Sequence, residues 1–162
     1  MFLTDIDAQK VKFAQSLGFD AINSKDINPI EYIKENTSGR GADLCIEGAG
    51  VSVTLEQCFF AARILGRVVV MGNPVGEMKL SQKGYWELLR KQLTIKGTWN
   101  SSYCSLPKND WQLAIEAMAT GKLDLKPLIS HRIELEAGIE PFKMMSEHKE
   151  FFNKVMFINR HR

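Results

Sequence analysis

Residues 43–50 of the 162-residue chain read DLCIEGAG. An apolar run entering Gly48-Ala49-Gly50, with a helical pattern behind it, has the outline of a phosphate cradle. In such a turn, backbone N–H groups face a pyrophosphate. The cradle requires G-x-G-x-x-G, and its third glycine position is Val53 here, which denies close helix–strand approach. It also expects an acid about 20 residues on, at the end of the next strand, to bind ribose hydroxyls. Counting from Gly50 reaches Val70, inside an unbroken apolar run. These residues argue against a pyrophosphate loop at 48–50.

A better-placed acid lies at the start of the chain. Asp5 closes the segment FLTD, and a helix with Lys10 in its first turn follows. A carboxylate ending such a strand is aimed at an adenosine ribose, and it favours NAD over NADP because it repels a 2′-phosphate. The competing use of Asp5 or Asp7 is as a helix N-cap. Metal chemistry finds less support. Cys45, Cys58 and Cys104 are dispersed without a CxxC pair, and His131, His148 and His161 show no ligand spacing to them. His131, within SHR, reads as an ordinary linker residue rather than a catalytic base.

The elements that must position these groups alternate. A strand is expected at residues 2–6, then a helix from Ala8 to Leu17 with Gly18 as its stop, and a short strand at Ala21-Ile22. Asp26 or Asn28 caps a helix that carries Pro29 in its first turn. ADLCIE (42–47) is a strand, and Leu55, Cys58, Phe59 and Ala62 form a helical stripe. The β-branched run from Arg67 to Gly72 predicts a strand buried on both faces of a parallel sheet. A helix near 82–90 and a strand at Leu93–Trp99 complete a βαβ rhythm. Beyond a loop from Asn100 to Pro107, Trp111, Ala114, Ile115 and Met118 mark a helix ending at Gly121. Residues 126–132 read as an extended connection, Leu135, Ile139, Phe142 and Met145 as a helix face, and Lys154–Ile158 as a last strand. The expected division is 1–100, a doubly wound α/β part, and 101–162, helices and a strand too few for a core of their own.

The apolar share of 44% and charged share of 25% are those of a globular protein. A formal charge of +2, spread among acids, gives no basis for nucleic-acid binding. No apolar run approaches a membrane span. The start MFLTDIDAQK has no signal-peptide pattern, and three scattered cysteines suit reduced thiols in a cytoplasm.

The runs TDIDAQKVKFAQSLGFDAIN, GADLCIEGAG, GRVVVMGNP, LTIKGTWN and LDLKPLISHRIEL, in this order, resemble the medium-chain alcohol dehydrogenase superfamily. The likeness is strongest to its polyol branch, the sorbitol and galactitol-1-phosphate-type dehydrogenases. It covers essentially the whole chain but only the C-terminal part of such an enzyme. The fold implied is an α/β, doubly wound parallel Rossmann sheet lacking its first strand, so that a gap separates the second strand from the fourth. C-terminal helices and a strand would return toward a catalytic domain. The resemblance implies NAD as cofactor. It assigns Asp5 to the adenosine ribose and Lys10 to the adenine end, with Gly48 and Ala49 at the fourth strand's exit. Met71, Gly72 and Asn73 fall beside the nicotinamide, and Thr98, Trp99 and Asn100 near its amide. Each turn glycine has a plainer use, since a backbone must turn there.

In the family, zinc and a proton relay reside in an N-terminal domain, and zinc ligands are absent from this sequence. The implied reaction is oxidation of a secondary hydroxyl of a sugar alcohol, or its phosphate, to a ketose, with the chain alone inactive. A natural truncation, an internal start and an expressed fragment are all consistent with it. The alternative is a non-catalytic remnant that forms homo-oligomers through the edge strand Leu93–Trp99.

Overall fold

The computed structural model describes residues 1–99, 101, 109–147 and 149–159. They fall into two compact units, Met1–Asn100 and Ser101–Arg162. In the first unit, strand β1 (Phe2–Asp5) leads to helix α1 (Ala8–Ser16) and strand β2 (Asp20–Asn23). Helix α2 (Pro29–Glu35), strand β3 (Ala42–Glu47), helix α3 (Ser52–Ala61), strand β4 (Ala62–Val70), helix α4 (Gln82–Arg90) and strand β5 (Thr94–Gly97) follow.

Local chemistry sets the helix starts. Asp7, not Asp5, caps α1 by accepting from Gln9 N at 2.8 Å. Asn28 caps α2 ahead of Pro29, accepting from Ile30 N at 3.0 Å, and Ser81 caps α4 through Gly84 N at 3.0 Å. Gly18, at φ 84°, supplies the left-handed turn that ends α1.

The strands form parallel ladders in two separate groups. β1 pairs with β2, Asp5 opposite Asn23. β3 pairs with β4, Glu47 opposite Val70, and β4 with β5, Val70 opposite Gly97. Among the described residues, no ladder joins β1 or β2 to the β3-β4-β5 sheet. The two-plus-three grouping is that of an incomplete doubly wound sheet broken at its central strand position, as expected. The core lies on one face of the larger sheet. Val68 (0% exposed) and Cys45 pack with Phe59, Ala61 and Ala62 of the α3–β4 corner.

Several expectations are corrected. β4 is buried on one face only. Across the ladder, Leu44 and Ile46 of β3 stand 43% and 58% exposed, so a both-sided reading of the β-branched run fails. Ala62 belongs to the strand rather than the helical stripe, because it is extended (ψ 145°) and pairs with Ala42. The register then jumps, Leu44 facing Arg67, across a hump where Leu65 adopts φ 57°.

In the second unit, α5 (Asp110–Ala119) is capped by Asn109. Residues 126–132 are more than a connection. A single 3₁₀ turn leads into β6 (Ile129–Glu134), which pairs in parallel with β7 (Lys154–Ile158). The helix face foreseen from Leu135 to Met145 is split. A 3₁₀ turn at Leu135–Ala137 and α6 (Glu140–Ser146) are separated by Gly138 at φ 59°, ahead of Pro141.

Candidate cofactor site at the strand exits

The carboxyl ends of β3, β4 and β5 lie side by side, and short hydrogen bonds tie their exits together. Met71 N and Gly72 N donate to Glu47 O at 2.9 and 3.0 Å. Val75 N donates to Gly50 O at 3.1 Å, so the segment after β4 crosses the turn after β3. Thr98 N donates to Val70 O at 2.9 Å, which carries β5's exit alongside. Gly48, Ala49, Met71, Gly72, Asn73 and Thr98 are thereby brought into one region. Trp99 follows with most of its surface exposed. Asn100 lies outside the described residues.

The packing distinguishes the glycines sharply. A Cβ on Gly72 would lie 2.3 Å from Gly50 N and 2.6 Å from Glu47 Oε2. Gly50, at φ 72°, leaves no space against Asn73 O. Gly48 is the opposite case, for its added Cβ would meet nothing within 4 Å. It offers an open stretch of backbone to which a flat ligand edge can come close.

Glu47 carries the turn, and the sequence reading did not single it out. It is 1% exposed, on the core face beside Cys45. Its Oε1 accepts from Ala49 N at 2.8 Å, Gly50 N at 2.8 Å and Thr54 Oγ1 at 2.7 Å. The donors that a phosphate would need are thus committed to a carboxylate, which itself would repel a phosphate. Gly48-Ala49-Gly50 is a strand exit and not a pyrophosphate cradle. The alternation of ADLCIE held the signal, since an acid in step with Cys45 sits on the core face ahead of a glycine turn.

Asp5 and Lys10 share a shallow cavity of about 160 Å³ with Leu3, Thr4, Val11, Ala14 and Ala21. Asp5 Oδ1 accepts from Asp7 N at 2.9 Å, an Asx turn that orients the carboxylate. With the capping duty held by Asp7, Asp5 is not the N-cap. Asp5 ends β1 and Lys10 lies in α1, and among the described residues no ladder links the β1–β2 pair to the β3–β5 exits.

Cys45, in the core, and Cys58, half-buried against it, are free thiols. Interaction with Cys45, followed by burial, pushes the Cys58 thiol up, while interaction with Cys58 and the Lys91 charge draw Cys45 down against burial. His131 Nδ1 lies 2.9 Å from Ser130 Oγ, and its Nε2 lies 3.5 Å from Glu150 Oε1. It is engaged locally on β6. Cys104, His148 and His161 lie outside the described residues. Among the described residues, no group of three His, Cys, Asp or Glu lies together so as to hold a metal ion. No described helix is long and apolar enough to cross a membrane.

Parallel strands joined by helices, in a sheet that opens at the central position, define a partial Rossmann-type α/β fold. The profile of the family described as zinc-binding dehydrogenase matches residues 1–120, and the chain belongs to that family. Galactitol 1-phosphate 5-dehydrogenase of Escherichia coli K12 is 28% identical over 134 residues, which are 82% of this chain and 39% of that protein. Sorbitol dehydrogenase of Gallus gallus is 28% identical over 144 residues, 87% of this chain and 38% of that protein. The crystal structure of galactitol-1-phosphate dehydrogenase from Escherichia coli superposes with a TM-score of 0.81 at 26% identity, over 98% of this chain and 46% of that one. The chain therefore spans about two-fifths of the length of the curated relatives it matches. The likeness to zinc-type polyol dehydrogenases drawn from the motifs is borne out.

Proposed function

We propose that the chain supplies one wall of the NAD crevice of a zinc-type dehydrogenase, which oxidises a secondary hydroxyl of a sugar alcohol or its phosphate to a ketose. The observation that carries this reading is the gathering of three parallel-strand exits around the open Gly48 backbone. Ligands of open α/β sheets sit outside such ends. Asp5 binds the adenosine ribose, Lys10 flanks the adenine, and the exits at 48–49, 71–73 and 98–100 line the nicotinamide end. NAD, when bound, accepts the hydride. The residues of this chain bind and orient it, and the metal-bearing side of the reaction lies with other residues, so the chain alone turns over no polyol. The protein works in the cytoplasm in this reading.

Calorimetric titration with NAD tests it. Binding that weakens about tenfold in Asp5→Asn, the scale of one lost charge-assisted hydrogen bond, is the expected result. Absence of heat at millimolar NAD counts against the reading. A second reading is a non-catalytic remnant that dimerises through its edge strand. Its support is that Thr94–Gly97 is exposed at all four positions. A dimer by light scattering, combined with silence toward NAD, would select it.

A further inference from the structure

Glu47 gathers more of the site than any other described residue. Its Oε1 takes three donors, Ala49 N, Gly50 N and Thr54 Oγ1, at 2.7–2.8 Å. Its main-chain oxygen takes two more, Met71 N and Gly72 N. Five donors from the β3 exit, the first turn of α3 and the β4 exit thus converge on one residue. The N-cap of α3, Val51, offers no side-chain bond, so the carboxylate stands beside an otherwise bare helix start. The other carboxylate oxygen, Oε2, is buried and takes no donor among the described residues. It faces Gly72, where any Cβ would collide with it.

We infer that Glu47 is a positioning residue, whose single engaged side-chain oxygen fastens the Ala49-Gly50 turn to the end of β3 and the first turn of α3, and so fixes the crevice wall that meets the cofactor. This rests on the cofactor reading above. The asymmetry of the carboxylate makes the inference specific. Oε1 does the fastening and Oε2 none of it, so an amide oxygen in the place of Oε1 serves as well as a carboxylate. Glu47→Gln keeps that acceptor; Glu47→Ala removes it and frees two turn amides.

The test uses the 162-residue chain and two measurements, NADH affinity by fluorescence and amide exchange by NMR. Glu47→Ala is expected to weaken NADH about tenfold or more, as for loss of a charge-assisted hydrogen-bond set. It should also speed exchange at Ala49 and Gly50 relative to Ala21 and Ile22, which report global opening. Glu47→Gln is expected to stay within about threefold of the unaltered chain in both, since the acceptor is conserved. If Gln proves as damaging as Ala, the charge and not the acceptor matters, and the inference falls. It falls equally if Glu47→Ala frees the turn yet binds NADH unchanged, or if exchange quickens everywhere alike. No NADH binding by the unaltered chain defeats the cofactor reading instead, and exchange alone then decides whether Glu47 fastens the turn.

Discussion

Gly72 and Gly48 sit in neighbouring strand exits, and the structure gives them opposite reasons to lack a side chain. Replacing Gly72 by Ala places a Cβ 2.3 Å from Gly50 N, 2.6 Å from Glu47 Oε2 and 2.9 Å from Gly48 C. Two of those atoms are backbone and the third is held in the core, so no flexible group can yield. The exits of β3 and β4 must part by roughly an ångström, at the cost of about 1–3 kcal/mol usual for overpacking. In a unit of this size that lowers Tm by about 4–8 °C per kcal/mol. Gly48→Ala meets nothing within 4 Å and needs no positive φ. Stability there should hold or rise by about 0.4–1 kcal/mol, because the unfolded chain loses freedom. Yet its methyl projects into the space assigned to the cofactor, and NADH affinity should fall. Thermal unfolding by circular dichroism and NADH titration separate the two effects. A Gly72→Ala protein as stable as the original refutes the packing argument. A Gly48→Ala protein with undiminished NADH affinity refutes the placing of the ligand at that turn.

Lys91 Nζ donates to the carbonyls of Phe59, Phe60 and Ala62 at 2.8–2.9 Å and pairs with Glu87 at 2.9 Å. Lys91→Met keeps the stem but strips the end of α3 of its donor, so about 2–4 kcal/mol of stability should go, whereas Glu87→Gln should cost under about 0.5 kcal/mol. Urea unfolding measures both, and equal effects would contradict the capping role. Asp43, hydrogen-bonded first to Arg40 and then to Arg63, has its carboxyl lowered to about 2. A depressed folded-state pKa gives stability that is present above the ordinary value of 3.8 and lost as pH falls through about 2. The pair network is exposed, so the effect should be small and should shrink in salt. An NMR titration in which Asp43 moves part of the way back toward the ordinary value in Arg40→Gln, and further when Arg63 is also replaced, checks the assignment.

Much of the fold was legible because its signals are local. Asp7 and Asn28-Pro29 start helices through short-range bonds that the sequence displays. The alternation of 42–47 and the β-branched run 67–71 are strand patterns that tertiary context did not override. What misled was the inference from apolarity to burial. Val69 and Ile46 lie on a face that parallel sheets normally cover, and sequence alone does not tell which neighbour covers it. The Ala62 boundary was missed because Lys91, about thirty residues on, supplies the donors that let α3 stop there. The breaking of the 135–145 helix needed only weight given to Gly138 and Pro141, both visible. Glu47 was hidden by habit, since an acid before a glycine pair reads as surface until its alternation with Cys45 is followed.

The break in the sheet and the position of the candidate site are one fact seen twice. In the order 3-2-1-4-5-6, the chain reverses its direction of growth between the first and fourth strands, and the ligand crevice opens there. In that order β1 and β3 take the second and fourth positions, and among the described residues no ladder joins the β1–β2 pair to the β3-β4-β5 sheet. Asp5 ends one and Glu47 ends the other. One carboxylate is partly exposed beside a cavity; the other is buried and spent on its own turn. An acid free to meet a ribose must keep unpaired acceptor capacity toward solvent, while an acid that shapes a crevice must give it up. Under the proposed NAD reading the two strand ends divide the work, Asp5 recognising and Glu47 shaping. Loss of either should weaken NADH, but only Glu47→Ala should loosen the turn at 49–50.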